Sequence, residues 1–496
     1  MVFSSLTFLA LFLPAFLIVY HIIPSRLMRL KNLSVVIFSL IFYAAGEPVW
    51  VLLLLFSGVL DYTIGLFMTG CSRKWQSGAL LALSLCGNLG LLLVFKYGAF
   101  FLGLLGVESA FNPALPIGIS FYSFQTMSYT IDLYKGNVKP QRDPIAFLAY
   151  VSMFPQLVAG PIVRYADVEE KLTQRKTTIT GFSDGVARFA MGLGKKVIFA
   201  NHAGKVANEL LGAGTGGMPA AAVWLGALMF MFQIYFDFSG YSDMAIGLGK
   251  MIGIDFKENF DHPYEAKSIT EFWRKWHISL SGFFRDYVYI PLGGNRRRAA
   301  VNMLIVWFIT GLWHGASVNF VLWGLYYFLI LLLEKYVIGG VADFLRGRSA
   351  GESGAARTPF RRKYYLISLS RGARNRVRTS LRKIPAVFAH LYSLILILFG
   401  WLIFYYTDLT ALSDAGKRFF GFAESFTNHR TNVLFFENIW IIPVLALFCT
   451  RAPKKLYSRF VSRAPVFAPI FSFLLLCFCF ALLVGQSFNP FLYFRF

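Results

Sequence analysis

The chain has 496 residues, of which 56% are hydrophobic and only 15% are charged, and its formal net charge is +23. A soluble domain carries about 25% charged residues, so this chain lacks the polar surface needed to cover itself in water. Lys and Arg accumulate in short cytoplasmic loops of membrane proteins, and we interpret the positive charge as a topology signal, with no nucleic acid as partner. Composition thus excludes a soluble helical protein and predicts an integral membrane protein.

Apolar stretches near the ~20 residues needed to cross a bilayer follow one another along the chain. The clearest lie at 7–23, 49–68, 79–93, 222–236, 318–333, 387–404, 439–448 and 466–484. Shorter or glycine-broken runs lie at 35–44, 115–129, 147–163, 187–200 and 300–312. The first stretch has no basic segment before it and no cleavage site after it, which favours a retained span. We expect an all-α polytopic protein with about 11 to 13 transmembrane and re-entrant segments.

A basic segment at 341–385 divides the chain, with twelve Lys and Arg against Asp343 and Glu352. It is predicted to be a cytoplasmic loop that contacts anionic membrane lipids. It separates a catalytic core at 1–340 from C-terminal transmembrane helices at 386–487. Counting spans from this loop predicts that the tail, 488–496, lies on the extracytoplasmic face.

Ionisable residues within apolar sequence are the candidates for chemistry, because polar groups at membrane depth face the protein interior or a water-filled cavity. His314 lies in Gly-Leu-Trp-His-Gly at 311–315, at a break between two apolar runs. Trp313 beside it is predicted to be a supporting residue. Histidine suits proton transfer near neutral pH. A buried histidine bonded to a carbonyl is the alternative, and position alone does not separate the two.

Aromatic and cationic residues alternate over residues 272–287. This pattern is typical of an interfacial helix whose charges meet an anionic ligand, or of an ordinary belt of aromatic and snorkelling cationic residues. The residues expected to bind an anionic donor are Trp273, Arg274, Lys275, Trp276 and Arg285. His277 lies among them as a catalytic candidate, and Asp286 follows as a supporting residue.

Two carboxylates, Asp237 and Asp243, interrupt the apolar sequence at 235–244. They are predicted to support the site by orienting a cation or a histidine, or simply to pair with Arg or Lys, which we favour. The sequence contains no P-loop, no dinucleotide-binding glycine motif and no Cys/His metal spacing. We expect no metal and no permanently bound cofactor.

Taken in order, these motifs resemble the membrane-bound O-acyltransferases, in particular the bacterial branch that acetylates alginate and peptidoglycan. The motifs that carry the resemblance lie at 115–122, 159–161, 235–243, 268–277, 286–295 and 311–315. Residues 282–284 and the long basic segment depart from the expected pattern and argue against alginate as the acceptor.

The resemblance implies a ring of tilted helices in the bacterial inner membrane, with a cytoplasmic and an extracytoplasmic funnel. The funnels would meet near the essential histidine, His314, with His277 as the second family histidine. The implied donor is cytoplasmic acetyl-CoA. The implied partner is an extracytoplasmic SGNH-type transferase that completes delivery to a cell-envelope polysaccharide.

The tail from Phe491 to Phe496 reads Phe-x-Tyr-x-x-Phe. It is similar to the C-terminal motif of a companion protein in D-alanylation systems, in which the tyrosine is proposed to carry the acyl group. We therefore predict Tyr493 as a transient acceptor with His314 as its base, against the alternative of an aromatic anchor.

Two other functions remain open, a carrier-protein-dependent D-alanyl transferase and a lipid-linked glycan transporter.

Overall fold

A computed structural model describes residues 1–107, 115–158, 160–212, 217–338, 386–485 and 492. The predicted basic loop at 341–385, and the predicted tail apart from Leu492, lie outside the described residues. Regular structure within the described ranges is entirely helical, which confirms the all-α prediction. The helices are α1 (Leu13–Ile22), α2 (Met28–Ala44), α3 (Val51–Thr69), α4 (Lys74–Leu92), α5 (Gly98–Leu104), α6 (Ile119–Lys135), α7 (Pro144–Ser152), α8 (Phe154–Leu157), α9 (Tyr165–Thr173), α10 (Ile179–Gly194), α11 (Asn201–Leu211), α12 (Ala220–Met251), α13 (Ile269–Lys275), α14 (Ile278–Phe284), α15 (Ala299–His314), α16 (Val318–Leu333), α17 (Ala386–Tyr405), α18 (Leu409–Phe419), α19 (His429–Asn438), α20 (Ile441–Phe448), α21 (Ala452–Arg463) and α22 (Phe467–Gly485).

Several of these helices continue as wider π-helical turns, which occur often at functional sites. Those in the described residues are Phe8–Phe12, Leu93–Tyr97, Lys195–Ala200, Arg285–Tyr289 and Glu334–Ile338. A short 3₁₀ turn lies at Pro263–Glu265.

Six helical segments of the described chain are long and apolar enough to cross a membrane. They are Val51–Thr69, Lys74–Leu104, Ala220–Met251, Val318–Val337, Ala386–Tyr405 and Phe467–Gly485. The pair α19 and α20, bent by 58°, makes a seventh if it is one broken span, and Phe8–Ile22 and Ala299–His314 are shorter apolar helices. These segments confirm a polytopic membrane protein, and the other predicted segments correspond to helices that are too short or too polar for this criterion.

The chain divides into two compact units. Unit 1 comprises Met1–Glu209, Met229–Asn259 and Ala452–Phe496, and unit 2 comprises Leu210–Leu228 and Phe260–Arg451. Most of α12 belongs to unit 1, whereas α13 to α20 belong to unit 2.

Paired glycines bring α10 and α12 into backbone contact in unit 1. A Cβ on Gly192 would lie 2.5 Å from the Gly240 carbonyl oxygen, and one on Gly185 would lie 2.7 Å from the Gly247 carbonyl oxygen. The two pairs repeat every seven residues along both helices, as expected for one antiparallel contact face. Small residues allow membrane helices to pack this closely.

A buried polar network joins α3, α4 and α6 within unit 1. The carboxylate of Asp61 accepts hydrogen bonds from Ser84 Oγ at 2.6 Å and from Asn88 Nδ2 at 2.8 Å. Ser57 and Thr126 donate to the Asn88 side-chain oxygen. Between membrane helices there is little hydrophobic driving force, so packing and hydrogen bonds of this kind hold the helices in register.

Candidate active site

The turn that carries His277 follows α13 in unit 2, and the start of α13 is capped by two side chains. At the start of α13, Ser268 Oγ accepts a hydrogen bond from the backbone N–H of Glu271 at 3.0 Å. The Glu334 carboxylate, beyond the end of α16, accepts from the backbone N–H groups of Ile269 and Thr270 at 2.7 and 2.8 Å. These caps satisfy donors that a helix start leaves without partners and tie α13 to the end of α16.

His277 connects α13 to α14 in a left-handed backbone conformation, with φ of 44°. A residue other than glycine pays roughly 1–3 kcal/mol for such a conformation, and these residues cluster at functional sites. Ser279 Oγ lies 3.5 Å from His277 Nδ1. The turn directs the imidazole into the unit, where 1% of the residue is exposed.

His314 is the last residue of α15, at the tip of the hairpin that α15 forms with α16. A Cβ on Gly311 would lie 2.4 Å from the Phe320 carbonyl oxygen. One on Gly315 would lie 2.3 Å from the Phe320 ring. Glycine is therefore required on both sides of His314 by the close approach of α16. The imidazole is buried, with 7% exposure.

One cavity of about 260 Å³ in unit 2 is lined by both histidines. The predicted residues that line it are His277, His314, Trp273, Arg274, Trp276 and Arg285. Lys275, Asp286 and Trp313, also predicted, are not among its lining residues. The fold therefore brings together six of the nine residues that sequence reasoning placed near the two histidine motifs.

Trp313 lies between the two histidines. Its ring is edge-on to His277 with centroids 5.6 Å apart and edge-on to His314 at 4.9 Å. Trp323 and Phe404 pack edge-on against the other sides of His314, at 4.9 and 5.2 Å. Trp313 thus contacts both imidazoles, although it does not line the cavity.

The cations of this motif have different environments. Lys275 is paired with Glu271 at 2.6 Å, and Arg285 is paired with Asp286 at 2.7 Å. Asp286 raises the Arg285 pKa by accepting its hydrogen bond. Arg274 has no acidic partner among the residues that the structure describes. Of the two arginines that line the cavity, Arg285 is paired with a carboxylate, whereas the charge of Arg274 is not compensated by one.

Sequence reasoning missed several residues that shape this cavity. Thr270, Tyr289, Trp307 and Thr310 also line it. Tyr289 and Lys335 both donate to the side-chain oxygen of Asn295, at 2.8 and 2.6 Å. In the sequence, Glu334 is recognisable only as an acidic residue directly after a long apolar run. That position does not predict that its carboxylate caps α13.

Burial lowers the pKa of His277 to about 3, and this residue lies outside the candidate membrane spans. The folded protein holds this imidazole neutral, whereas in the unfolded chain it binds a proton below about pH 6.5. The free energy of unfolding should therefore fall as the pH drops below 6.5, by about 1.4 kcal/mol per pH unit from this group. The His277→Gln variant lacks this loss. Between pH 7.5 and 5, the melting temperature of the variant should therefore fall less than that of the wild type.

The measurement is thermal unfolding of the detergent-solubilised protein over this pH range. His429→Gln, which removes an exposed histidine at the start of α19, should keep the wild-type slope. If the melting temperatures of wild type and His277→Gln fell equally with decreasing pH, the imidazole would not be held neutral in the folded protein.

The predicted carboxylates form ion pairs within unit 1. Asp237 pairs with Lys196 at 2.7 Å, and both side chains are buried. Asp243 pairs with Arg188 at 2.6 Å and with Lys195 at 2.7 Å. The glycine contacts between α10 and α12 align these oppositely charged groups, and the structure thus gives both carboxylates the pairing role that was favoured.

Asp237 has a second contact, which sequence reasoning did not find. Its Oδ2 accepts a hydrogen bond from the backbone N–H of Leu492 at 2.9 Å. Leu492 is buried and directly precedes Tyr493, which lies outside the described residues. The residue before the predicted acceptor is therefore held by a carboxylate of unit 1.

No group of three or more His, Cys, Asp or Glu side chains in the described ranges is arranged to hold a metal ion. The fold and the cavity define a polytopic, all-helical membrane protein with a buried site that contains two histidines and an uncompensated arginine.

The family model of the membrane-bound O-acyltransferases (MBOAT) matches residues 137–350. The chain is 42% identical to a probable alginate O-acetylase of Azotobacter vinelandii, over 68% of this chain and 69% of that protein. It is 33% identical to the peptidoglycan O-acetyltransferase of Helicobacter pylori, over 68% and 70%. A teichoic acid D-alanyltransferase of Bacillus subtilis is 27% identical over 44% of this chain and 59% of that protein.

The chain belongs to the membrane-bound O-acyltransferase family. It is an acyltransferase and a multi-pass protein of the bacterial inner membrane. The transporter alternative left open by the sequence is therefore set aside.

Proposed function

We propose that this enzyme takes an acetyl group from cytoplasmic acetyl-CoA and passes it across the membrane for O-acetylation of an extracytoplasmic polysaccharide. The observation that carries the proposal is the cavity of unit 2, which combines two buried histidines with the uncompensated charge of Arg274. The histidines suit proton transfer during attack on a thioester, and the positive charge of Arg274 suits an anionic group of the donor.

His314 is proposed as the general base. Its imidazole takes the proton of an attacking hydroxyl, whose oxygen forms a bond to the acetyl carbon. The carbon–sulfur bond then breaks, and the departing thiolate takes the proton back from the imidazolium. The products are an acetyl ester and free CoA thiol. A hydroxyl is a weak nucleophile until such a base activates it.

His277 is proposed to orient the reacting groups as a neutral imidazole. Burial keeps it uncharged, so it can donate a hydrogen bond from one ring nitrogen and accept one at the other. The left-handed turn and the contact with Trp313 hold the ring in place.

The donor's phosphates are proposed to lie toward Arg274, with Arg285 and the exposed Arg296–Arg298 cluster as further cations. The aromatic wall made by Trp273, Trp276 and Trp307 suits the apolar part of a thioester ligand. Guanidinium groups bind phosphate oxygens through paired hydrogen bonds. Lys275 is the weakest candidate because it is paired with Glu271 and, unlike Arg285, does not line the cavity.

Arg274→Gln is expected to raise the KM for acetyl-CoA by roughly 10-fold, the loss of one charge-assisted hydrogen bond, with kcat nearly unchanged. The effect should shrink as salt rises, since screening weakens the contact in the wild type. Initial rates at several acetyl-CoA concentrations test this. Arg26→Gln, an exposed cation of unit 1, is the control. An unchanged KM in Arg274→Gln would remove this residue from donor binding.

The acceptor is proposed as a cell-envelope polysaccharide, with an SGNH-type transferase as the extracytoplasmic partner. Relatives named for alginate and for peptidoglycan match the same share of this chain, 68%. We therefore propose a cell-envelope polysaccharide as the acceptor without choosing a particular polymer. Tyr493 is proposed to carry the acetyl group between His314 and the partner. The hydrogen bond from the Leu492 N–H to Asp237 supports this role, because it holds the residue that directly precedes Tyr493.

The deciding experiment uses the full chain in proteoliposomes, supplied with acetyl-CoA labelled in the acetyl group. The expected result is release of free CoA together with labelled protein or labelled polysaccharide. A D-alanyl carrier protein is supplied in a parallel reaction. Turnover of the carrier thioester without turnover of acetyl-CoA would overturn the acetyl assignment in favour of D-alanyl transfer.

A further inference from the structure

Two buried cations share one tyrosine ring in unit 1. The Lys31 ammonium, on α2, lies 4.3 Å from the centroid of the Tyr20 ring, and the Arg175 guanidinium carbon, after α9, lies 5.6 Å from it. Both charges are therefore within about 10 Å of each other, one Debye length. Lys31 is 3% exposed and Arg175 is 5% exposed.

Arg175 is held in place by neutral oxygen atoms. Its Nε donates to Tyr20 Oη at 2.7 Å, and its Nη1 donates to Asn32 Oδ1 at 2.6 Å and to the Lys171 carbonyl at 3.1 Å. Tyr20 Oη in turn donates to the Ile252 carbonyl at 2.7 Å. The guanidinium is therefore oriented by four elements of unit 1, none of which neutralises its charge.

The Arg175 Nη2 group is buried and has no acceptor among the described residues. The ammonium group of Lys31 likewise makes no hydrogen bond or ion pair with the described residues, and its interaction with Arg175 is repulsive. The nearest acidic residues on α9 are engaged elsewhere or point outward. Asp167 pairs with Lys257, Glu169 accepts from the Lys139 backbone, and Glu170 is exposed.

Two buried like charges without a counter-charge are unfavourable, because each has lost its hydration and gains no attraction in return. An anion between them reverses this balance. We infer that Lys31, Arg175 and Tyr20 form a binding site for a phosphate group, whether from a lipid headgroup or from a phosphate-bearing solute. A tetrahedral phosphate accepts from the remaining Arg175 N–H groups and from the ammonium at once.

The site lies directly beneath the surface of unit 1. Leu30 and Lys176, the neighbours of Lys31 and Arg175 in sequence, are exposed. The lysine chain is flexible, so a short movement of Lys31 opens the site. This site belongs to a different unit from the histidine cavity and does not depend on the proposed acyl transfer.

The test measures the melting temperature of the full chain, purified in a zwitterionic detergent without phosphate. In one arm inorganic phosphate is compared with chloride at equal ionic strength. In the other arm, phosphatidylglycerol vesicles are compared with phosphatidylcholine vesicles. A ligand that binds only the folded state raises the melting temperature. A rise of several degrees in the first arm identifies a solute site, and a rise confined to the second identifies a lipid headgroup site.

Arg175→Gln and Lys31→Met are expected to lose most of this rise, whereas Arg26→Gln keeps it. Lys31→Met should fold even if Arg175→Gln does not, because an apolar chain of similar length often replaces a buried charge without loss of stability. Wild type that responds to neither ligand overturns the inference. So does Lys31→Met with the full wild-type response.

Discussion

His314→Gln is expected to lower acyl transfer from acetyl-CoA by roughly 10²- to 10⁴-fold, the usual contribution of general acid–base catalysis. Glutamine keeps a polar side chain of similar reach in the pocket formed by Trp313, Trp323 and Phe404, but it cannot take a proton. The loss should therefore appear in kcat, with little change in KM. Initial rates of CoA release by the protein in proteoliposomes measure it.

The control for this substitution is His429→Gln, which removes a histidine exposed at the start of α19. Its rate should equal that of the wild type. Both variants should elute as folded protein with similar melting temperatures, because Gly311 and Gly315 still allow α15 to approach α16. A folded His314→Gln protein with a wild-type rate would refute the role of His314 as base and with it the proposed chemistry.

Tyr493→Phe is expected to abolish acetyl delivery to the polysaccharide. The substitution removes the hydroxyl that would carry the acetyl group and keeps the aromatic ring, so a tail that serves only as an anchor would be unaffected. Labelled acetyl on the tail peptide, detected by mass spectrometry, should disappear in the same variant. Tyr457→Phe, elsewhere in unit 1, is the control, and a normal delivery rate in Tyr493→Phe would exclude the relay.

Leu492→Pro probes the hydrogen bond that holds this tail. Proline lacks the N–H that Leu492 donates to Asp237, and the variant leaves the pair of Asp237 with Lys196 intact. Loss of a bond to a charged acceptor should lower delivery by roughly 10- to 100-fold. Leu492→Ile, which keeps the N–H, should behave as the wild type. Equal rates for the two variants would show that the bond does not position Tyr493.

Many features of the membrane architecture were predictable from the sequence. The apolar runs at 49–68, 318–333, 387–404 and 466–484 correspond closely to helices α3, α16, α17 and α22. Hydrophobicity is a local property, and a bilayer requires about 20 apolar residues whatever the tertiary structure. The number of full spans was less predictable, since the helical segment Phe8–Ile22 and helix α15 are apolar but too short to meet the length criterion for a span.

The candidate site was predictable in its residue types and in part of its membership. Histidines and arginines embedded in apolar sequence pointed to His277, His314 and Arg274, which line one cavity. The sequence did not distinguish Arg274 from Lys275, although these residues are adjacent. That difference arises because Glu271, one helical turn before Lys275, pairs with it, whereas Arg274 projects from another face of α13.

The sequence by itself determined that this protein lies in a membrane, where its long helices fall, and to which acyltransferase family it belongs. Only the tertiary structure decided that Glu334 caps α13, that Leu492 is held by Asp237, and that Lys31 and Arg175 converge on Tyr20. The physical reason is the distance along the chain over which each property is determined. Burial in lipid depends on the residues of one segment, whereas a buried polar contact depends on which distant segments the packing brings together.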